Sequence, residues 1–362
     1  VAVAELQLVE AGPLRQLGDQ LEIAAFVHLF LAEFVRDRGL AEGVITVDAP
    51  AALAAAAPVT DSATLTGSAA VTGTGVLTTA ADAPPVVAKF YRPGRWIDAA
   101  ILEEHAFALE LQEREIPVVA PLSLAGGKTL HAAEGFRFAV FPRRGGRAPE
   151  LDKPDTLQWM GRFLGRLHAV GAVTPFRERP TLNIASFGED SRAYLLAHGF
   201  LPEDLLDAWQ SVADQALDGV RHCYERAGAI PSIRLHGDCH PGNVLWSEEG
   251  PHFVDFDDCR MGPAVQDLWM LLSGERADMT RQLGDVLAGY EDFCEFDARE
   301  LHLVEALRTL RLLHYSAWLA RRWEDPAFPA AFPWFNSQRY WQDRILELRE
   351  QIALMEEPPL QA

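Results

Sequence analysis

Lysine is nearly missing from this chain. Its 362 residues include only Lys89, Lys128 and Lys153, against twenty-nine arginines. Cysteine is sparse too. Cys223, Cys239, Cys259 and Cys294 form no C-x-x-C pair, and a chain of this size needs no disulfide staples, so they read as reduced thiols of a cytoplasmic protein. Positive charge is in deficit, with a formal net charge of −20. A phosphate backbone would be repelled, which excludes broad nucleic-acid binding but not a small anion held by local cations and backbone N–H groups. No apolar run is long enough to span a bilayer. The nearest, residues 21–35 (LEIAAFVHLFLAEFV), carries Glu22, His28 and Glu33 and predicts a buried amphipathic helix. No basic-then-apolar leader opens the sequence. Aromatic residues are absent between Phe34 and Phe90, and residues 46–83 are mostly Ala, Thr, Gly and Val. Such a stretch has little with which to fill a core, although its Thr and Val suit short strands.

From residue 84 the chain is patterned like a globular protein and is long enough for two lobes. Residues 84–93 (PPVVAKFYRP) predict a short strand stopped by proline, and residues 97–114 a helix with Asp98 in its first turn. Residues 137–146 (RFAVFPRRGG) run from a strand into a Pro/Gly-rich connector, a plausible lobe boundary. Residues 155–171 predict a helix capped by Asp155 and closed by Gly171. The rest reads as mainly helical. The resulting division is an atypical segment over 1–83, a strand-rich region over 84–143 and a helical region over 144–362.

The chemistry concentrates in residues 234–246, RLHGDCHPGNVLW. As a metal cage, His236, Asp238, Cys239 and His240 lack the second ligand pair of a structural zinc site and the further His/Asp turns of a metallophosphoesterase. Phosphoryl transfer explains more. Asp238 precedes Asn243 by five residues, and a strand–turn–strand over 244–254 delivers Asp255. In kinase-like catalysis one Asp orients the acceptor hydroxyl and takes its proton, while an Asn and a second Asp hold magnesium on the nucleotide phosphates. A cation for those phosphates is also needed. Lys89, set in an apolar strand of an arginine-rich chain, fits, with Glu104 preferred over Glu103 as its carboxylate partner. The alternative is a surface lysine beside a solvated helix face.

These residues, together with VVAKFYRPGRW, ILEEHAFALEL, FAVFPRRGGR, FVDFDD, MGPAVQDLWMLLSG, SAWLARRWEDPAFP and EEPPLQ, closely resemble the bacterial stress response kinase A family over roughly three quarters of the chain. The resemblance implies an α+β, bilobal protein-kinase-like fold of the aminoglycoside phosphotransferase type, with a small antiparallel-sheet N-lobe and a larger helical C-lobe. It implies an ATP- and Mg2+-dependent kinase, acting as a monomer on protein Ser/Thr in the stress response. Asp238 would be the proton acceptor, Asn243 and Asp255 the magnesium ligands, and Lys89, paired with Glu104, the contact to the α/β-phosphates. The strand ending at Phe141 would present its backbone to adenine, and Asp267 would accept N–H bonds from the catalytic loop.

Other polar residues read more plainly. His236 is expected to pack under the catalytic loop, and His240 and Cys239 to fill it. Asp257 and Asp258 are expected in a capped, solvated turn, with a contribution to the metal site as the alternative. Tyr315, Trp318 and Trp323 stand at near-helical spacing, the mark of core packing, with an acceptor-side wall as the alternative. The first eighty or so residues depart from the family, which has a nucleotide-covering Asn-Ser-Tyr-Glu-Asn-type segment there; GSAAVTGTG is a poor substitute. Either this is a divergent N-lobe or a shifted reading frame, and its composition favours the second. Two rival functions follow: a small-molecule kinase acting on an aminoglycoside, choline or homoserine-like alcohol, and an inactive nucleotide-binding module. Acidic residues over 202–215 read equally as solvated surface or as a site for a cationic acceptor.

Overall fold

The computed structural model describes residues 2–9, 72–79, 86–92, 94–133, 136–325 and 327–361, the first two segments by backbone alone. The helix expected over 21–35 and the bulk of the atypical segment lie outside the described residues. The chain divides into two compact units. The first comprises residues 1–113, 118–145 and 325–331; the second comprises 114–117, 146–324 and 332–362.

The first unit holds a five-stranded sheet: β1 (Ala2–Val9), β2 (Thr72–Thr79), β3 (Val86–Tyr91), β4 (His131–Ala133) and β5 (Phe136–Pro142), in the order β2-β1-β3-β5-β4. The Thr/Val-rich stretch thus supplies one strand. β1 runs parallel to β3, and the other neighbours are antiparallel. β3 is central and carries Lys89, which pairs in register with Ala139 of β5, while Val87 pairs with Phe141. Helix α1 (Asp98–Glu113) keeps Asp98 in its first turn and buries Ile101, Glu104, His105, Phe107 and Leu111. Ile101, Tyr91 and Ala139 form a common core cluster with half-buried Trp96, Leu130 and Phe141.

The second unit is mainly helical. Helix α2 (Pro154–Gly171) begins with proline at its first position and Lys153 as the flanking residue, so Asp155 lies inside the first turn and is not the cap the sequence suggested. A proline has no N–H to leave unsatisfied and is pre-shaped for that position, which moves the cap two residues earlier, from Asp155 to Lys153. Helices α3 (Asp190–Ala197), α4 (Glu203–Ala227), α5 (Val265–Trp269) and α6 (Arg276–Tyr290) follow; α7 is Val304–Ala320 and α9 is Gln338–Glu356. The five-residue α8 (Ala327–Ala331) belongs to the first unit. Glycines bring α2 and α6 into backbone contact: a Cβ at Gly161 would collide with the Val286 carbonyl, and one at Gly165 with that of Tyr290. Among the described residues no helix is long and apolar enough to cross a membrane.

Two short two-stranded sheets frame the polar motif. β6 (Ile233–Leu235) pairs with β9 (Arg260–Gly262), and β7 (Val244–Ser247) forms a hairpin with β8 (Gly250–Phe253). The four cysteines are free thiols, three of them buried.

Candidate active site

The loop between β6 and β7 begins with a conformation that glycine supplies. Gly237 has φ of 84°, and a Cβ there would strike the Asp258 carbonyl. The backbone N–H groups on either side of the turn are gathered by Asp267 of α5: Oδ2 accepts from His236 at 2.8 Å and Oδ1 from Gly237 at 2.9 Å. Its side chain is fully buried, and His168 Nε2 lies 3.1 Å from Oδ2. With Nε2–H given to the carboxylate, His168 Nδ1 is left to accept from the Tyr290 hydroxyl at 2.9 Å. Gln266, next in α5, donates to the Gly237 carbonyl at 3.2 Å. The placement of α5 is itself fixed by buried Glu300, whose Oε2 accepts the Val265 N–H at 2.7 Å. A chain of buried contacts therefore runs from Glu300 through α5 to the residue before Asp238.

Asp238 is one-fifth exposed at its side chain. Asn243 closes the loop behind it, with Nδ2 donating to the Asp238 carbonyl at 2.9 Å. His236 lies under the loop as expected: it is fully buried, donates from Nε2 to the Val254 carbonyl at 2.9 Å, and packs against Phe256 with centroids 4.5 Å apart and planes tilted by 47°. Cys239 is also fully buried, and burial pushes its thiol well above the ordinary range, so it fills space and supplies no nucleophile. His240 folds back on its own loop, Nδ1 accepting the Gly242 N–H at 3.0 Å.

The hairpin sets Asp255 beside Asn243. Val254 N–H donates to the Asn243 carbonyl at 3.0 Å, extending the β7–β8 ladder by one step, and Asp255 follows directly. It adopts a left-handed backbone, φ 59° and ψ 65°, one of three non-glycine residues with positive φ among the described residues. Such conformations are uphill for a side-chain-bearing residue and persist where surrounding contacts impose them. Buried Arg179 holds the turn that follows: Nε donates to the Cys259 carbonyl at 2.9 Å and Nη2 to that of Asp257. Asp258 forms an ion pair with Arg260 at 2.6 Å, whereas Asp257 is buried rather than solvated. The sequence hid this burial: Arg179, which donates to the Asp257 carbonyl, lies 78 residues away in the chain.

Asn243 and Asp255 offer a cation hard oxygen donors on adjacent positions. Among the described residues there is no cluster of three or more His, Cys, Asp or Glu able to cage a metal. A pair of oxygen side chains suits Mg2+, which keeps much of its shell for water and phosphate. The donor set fits that ion.

In the first unit Lys89 and Glu104 are both buried, with Nζ 3.4 Å from Oε1. The lysine is therefore paired with Glu104 inside the sheet–helix interface and is not a surface residue. Its ammonium also sits 5.3 Å from the centre of the Tyr91 ring. Phe141, on the last strand of the sheet, is half-buried.

Sequence reasoning missed Arg311. From α7 its Nη1 reaches Asp238 Oδ1 at 2.8 Å. Nothing local marks it, since seventy-three residues separate the partners. Tyr315, Trp318 and Trp323 are half-buried, outside the core that their spacing suggested.

The family model described as "Phosphotransferase enzyme family" (APH) matches residues 72–304. Stress response kinase A of Salmonella typhi is 46% identical over 275 residues, covering 76% of this chain and 83% of the relative. The same identity and coverage relate the chain to a Salmonella typhimurium protein named serine/threonine protein kinase RdoA. Among solved structures, the amicoumacin kinase hAmiN in complex with AMP-PNP, Ca2+ and Ami superimposes with a TM-score of 0.58 at 19% identity, over 76% of this chain and 83% of that one. A microcompartment-associated aminopropanol kinase gives 0.55 at 18% identity, over 74% and 84%. These two share the fold. A glycine-turned loop bearing Asp238, a hairpin bearing Asp255 and a buried Lys–Glu pair thus occur in a chain that belongs to the phosphotransferase (APH) enzyme family.

Proposed function

We propose that this phosphotransferase is a serine/threonine protein kinase of the stress response, using ATP and Mg2+, monomeric and cytoplasmic. Asp238 orients the acceptor hydroxyl and receives its proton as the γ-phosphoryl group moves, a role that contributes about 10²–10⁴-fold to such reactions. Asn243 and Asp255 hold Mg2+, which when bound neutralises charge on the phosphate oxygens. Lys89, oriented by Glu104, contacts the α- and β-phosphates, and the backbone at Phe141 meets adenine.

The observation that carries this reading is the construction of the loop around Asp238. Three buried groups, Asp267, Gln266 and His236, hold its backbone, so the carboxylate is set before any acceptor arrives. Catalysis by position and electrostatics requires that preorganisation. The choice of protein as acceptor is supported by relatives at 46% identity, one of them named for serine/threonine. The amicoumacin and aminopropanol kinases, at 18–19% identity, support the fold alone.

The test is an acceptor screen with ATP and Mg2+, scoring autophosphorylation and generic protein substrates against aminoglycosides, choline and homoserine. Phosphoserine or phosphothreonine is the expected product. Robust turnover of a small alcohol without protein phosphorylation would sink the choice of acceptor. Activity stripped by chelation and restored by Mg2+ but not by Ca2+ is the expected metal response.

A further inference from the structure

Resting on the protein-kinase reading above, we propose that the acceptor is an acidic segment of a protein, with Asp or Glu close to the phosphorylated Ser or Thr, and that Arg311 selects it. The guanidinium of Arg311 lies 2.8 Å from Asp238 Oδ1, and 42% of its side chain is exposed. A hydroxyl that reaches Asp238 therefore arrives beside a solvent-reaching cation. For an aminoglycoside or choline this is a like charge at the reacting group. For an acidic peptide it is a ready partner, because a guanidinium matches carboxylate geometry with two parallel donors.

The helix face beyond Arg311 argues the same way. One and two turns along α7, Tyr315 and Trp318 are half-buried and stacked, with centroids 5.9 Å apart and planes 10° from parallel. Aromatic faces of this kind are what quaternary ammonium ligands need. Here the chain's own arginines stand over aromatic rings: Arg322 lies 4.4 Å from the centre of Trp318, and Arg344, which also pairs with Glu347, lies 5.1 Å from that of Tyr340. A cationic acceptor would meet guanidinium where a cage is required. From Arg311 to its end at Ala320 the helix advances about 14 Å, the span of about four extended residues, and Arg322 follows in the turn beyond it. A peptide laid along this face passes both arginines.

Arg311 also gives the acidic flank a part in catalysis. In the free protein the guanidinium occupies one oxygen of the proton-accepting carboxylate. A carboxylate on the incoming peptide offers it a second partner, which lets Asp238 exchange that contact for the acceptor hydroxyl. Arg311 acts here through Asp238 and through substrate charge, as a positioning and specificity residue.

The experiment compares three serine peptides, identical except for Glu, Ala or Lys at the neighbouring positions, with the wild-type chain, Arg311→Glu and Arg311→Lys. The wild type is expected to favour the Glu peptide over the Ala peptide by about tenfold in kcat/KM, with the Lys peptide poorest. Arg311→Lys keeps that order, and Arg311→Glu reverses it. Loss of fold alone would lower all three rates without reordering them. Should Arg311→Glu not fold, Arg311→Gln must bring the three peptides together. Equal use of Lys and Glu peptides by the wild type, or an unchanged order in Arg311→Glu, overturns the inference and leaves the protein-kinase reading standing. Turnover of choline or an aminoglycoside with no peptide phosphorylated overturns that reading, and the inference with it.

Discussion

Replacing Asp267 by asparagine changes no volume and tests how the catalytic loop is held. The aspartate accepts three donors from a fully buried position: the His236 and Gly237 N–H groups at 2.8 and 2.9 Å and His168 Nε2 at 3.1 Å. An asparagine has one acceptor oxygen. Whichever way it turns, its NH2 faces a buried donor, and the remaining bonds lose their charge. An orphaned buried donor costs about 1–3 kcal/mol, and breaking a buried charged network about 3–5 kcal/mol in all. That is a large fraction of a typical stability of about 5–15 kcal/mol, so the variant folds but weakly. Urea unfolding followed through buried Trp209 and Trp341 should show the transition of the second unit about 1–2 M earlier. Turnover should fall by about 100-fold, the effect of misplacing a reacting group by about 1 Å. The variant also removes a pH dependence. Burial pushes the Asp267 carboxyl up, but the imidazoles of His168 and His236 and the Gly237 N–H outweigh it, leaving it below its ordinary value of 3.8. A depressed carboxyl contributes stability that is complete above 3.8 and lost as pH falls through the lower folded value. The wild type should therefore lose this contribution only below pH 3.8, and Asp267→Asn should lack that acid transition. Unchanged stability and turnover within twofold of wild type would refute the account of how the loop is held.

Glu300 supplies the opposite sign. Burial raises its carboxyl from 4.5 to about 7, so its contribution is complete below pH 4.5 and lost as pH rises through about 7; Glu300→Gln, which keeps an acceptor for the Val265 N–H, should flatten thermal stability across that window and be relatively more stable at pH 8, by about 3 kcal/mol at most. Lys89→Met leaves Glu104 buried without its ammonium and should destabilise the first unit by about 3–5 kcal/mol, whereas Lys89→Met with Glu104→Leu should recover much of that loss in chemical denaturation. A double variant no more stable than Lys89→Met would contradict the assigned pairing. Asp255→Ala should abolish metal-dependent ATP hydrolysis at a small cost in stability, about 1 kcal/mol, because alanine keeps the Cβ and tolerates the left-handed backbone less well than aspartate; thermal unfolding with an activity assay separates the two effects.

What could be read from the sequence was mostly local. Asp238 and Asn243 lie five residues apart in one loop, and the β7–β8 hairpin carries its own turn, so their neighbourhood with Asp255 follows from short-range chain geometry. The Lys89–Glu104 pair was reachable because Lys89, one of only three lysines in an arginine-rich chain, is followed by a helix with two candidate carboxylates, Glu103 and Glu104, in its middle. What escaped depends on contacts across long stretches of chain. His168 and Tyr290 are 122 residues apart, and α2 and α6 meet through glycines whose role appears only once both helices are placed. Arg311 belongs to the same class, since no spacing rule joins it to Asp238. Asp257 was misjudged as solvated because a run of aspartates looks like surface, whereas the fold buries one and ion-pairs the next with Arg260. The cap of α2 was misplaced because Asp155 matched the preference for aspartate at helix starts, while Pro154 set the first turn.

The most direct test is phosphate transfer from ATP to protein serine or threonine by the wild type and by Asp238→Asn, with nucleotide binding measured in parallel. Phosphoserine or phosphothreonine formed by the wild type, and lost in Asp238→Asn while ATP still binds, is the predicted result. Equal transfer by the two proteins would contradict the role of Asp238, and with it the central claim.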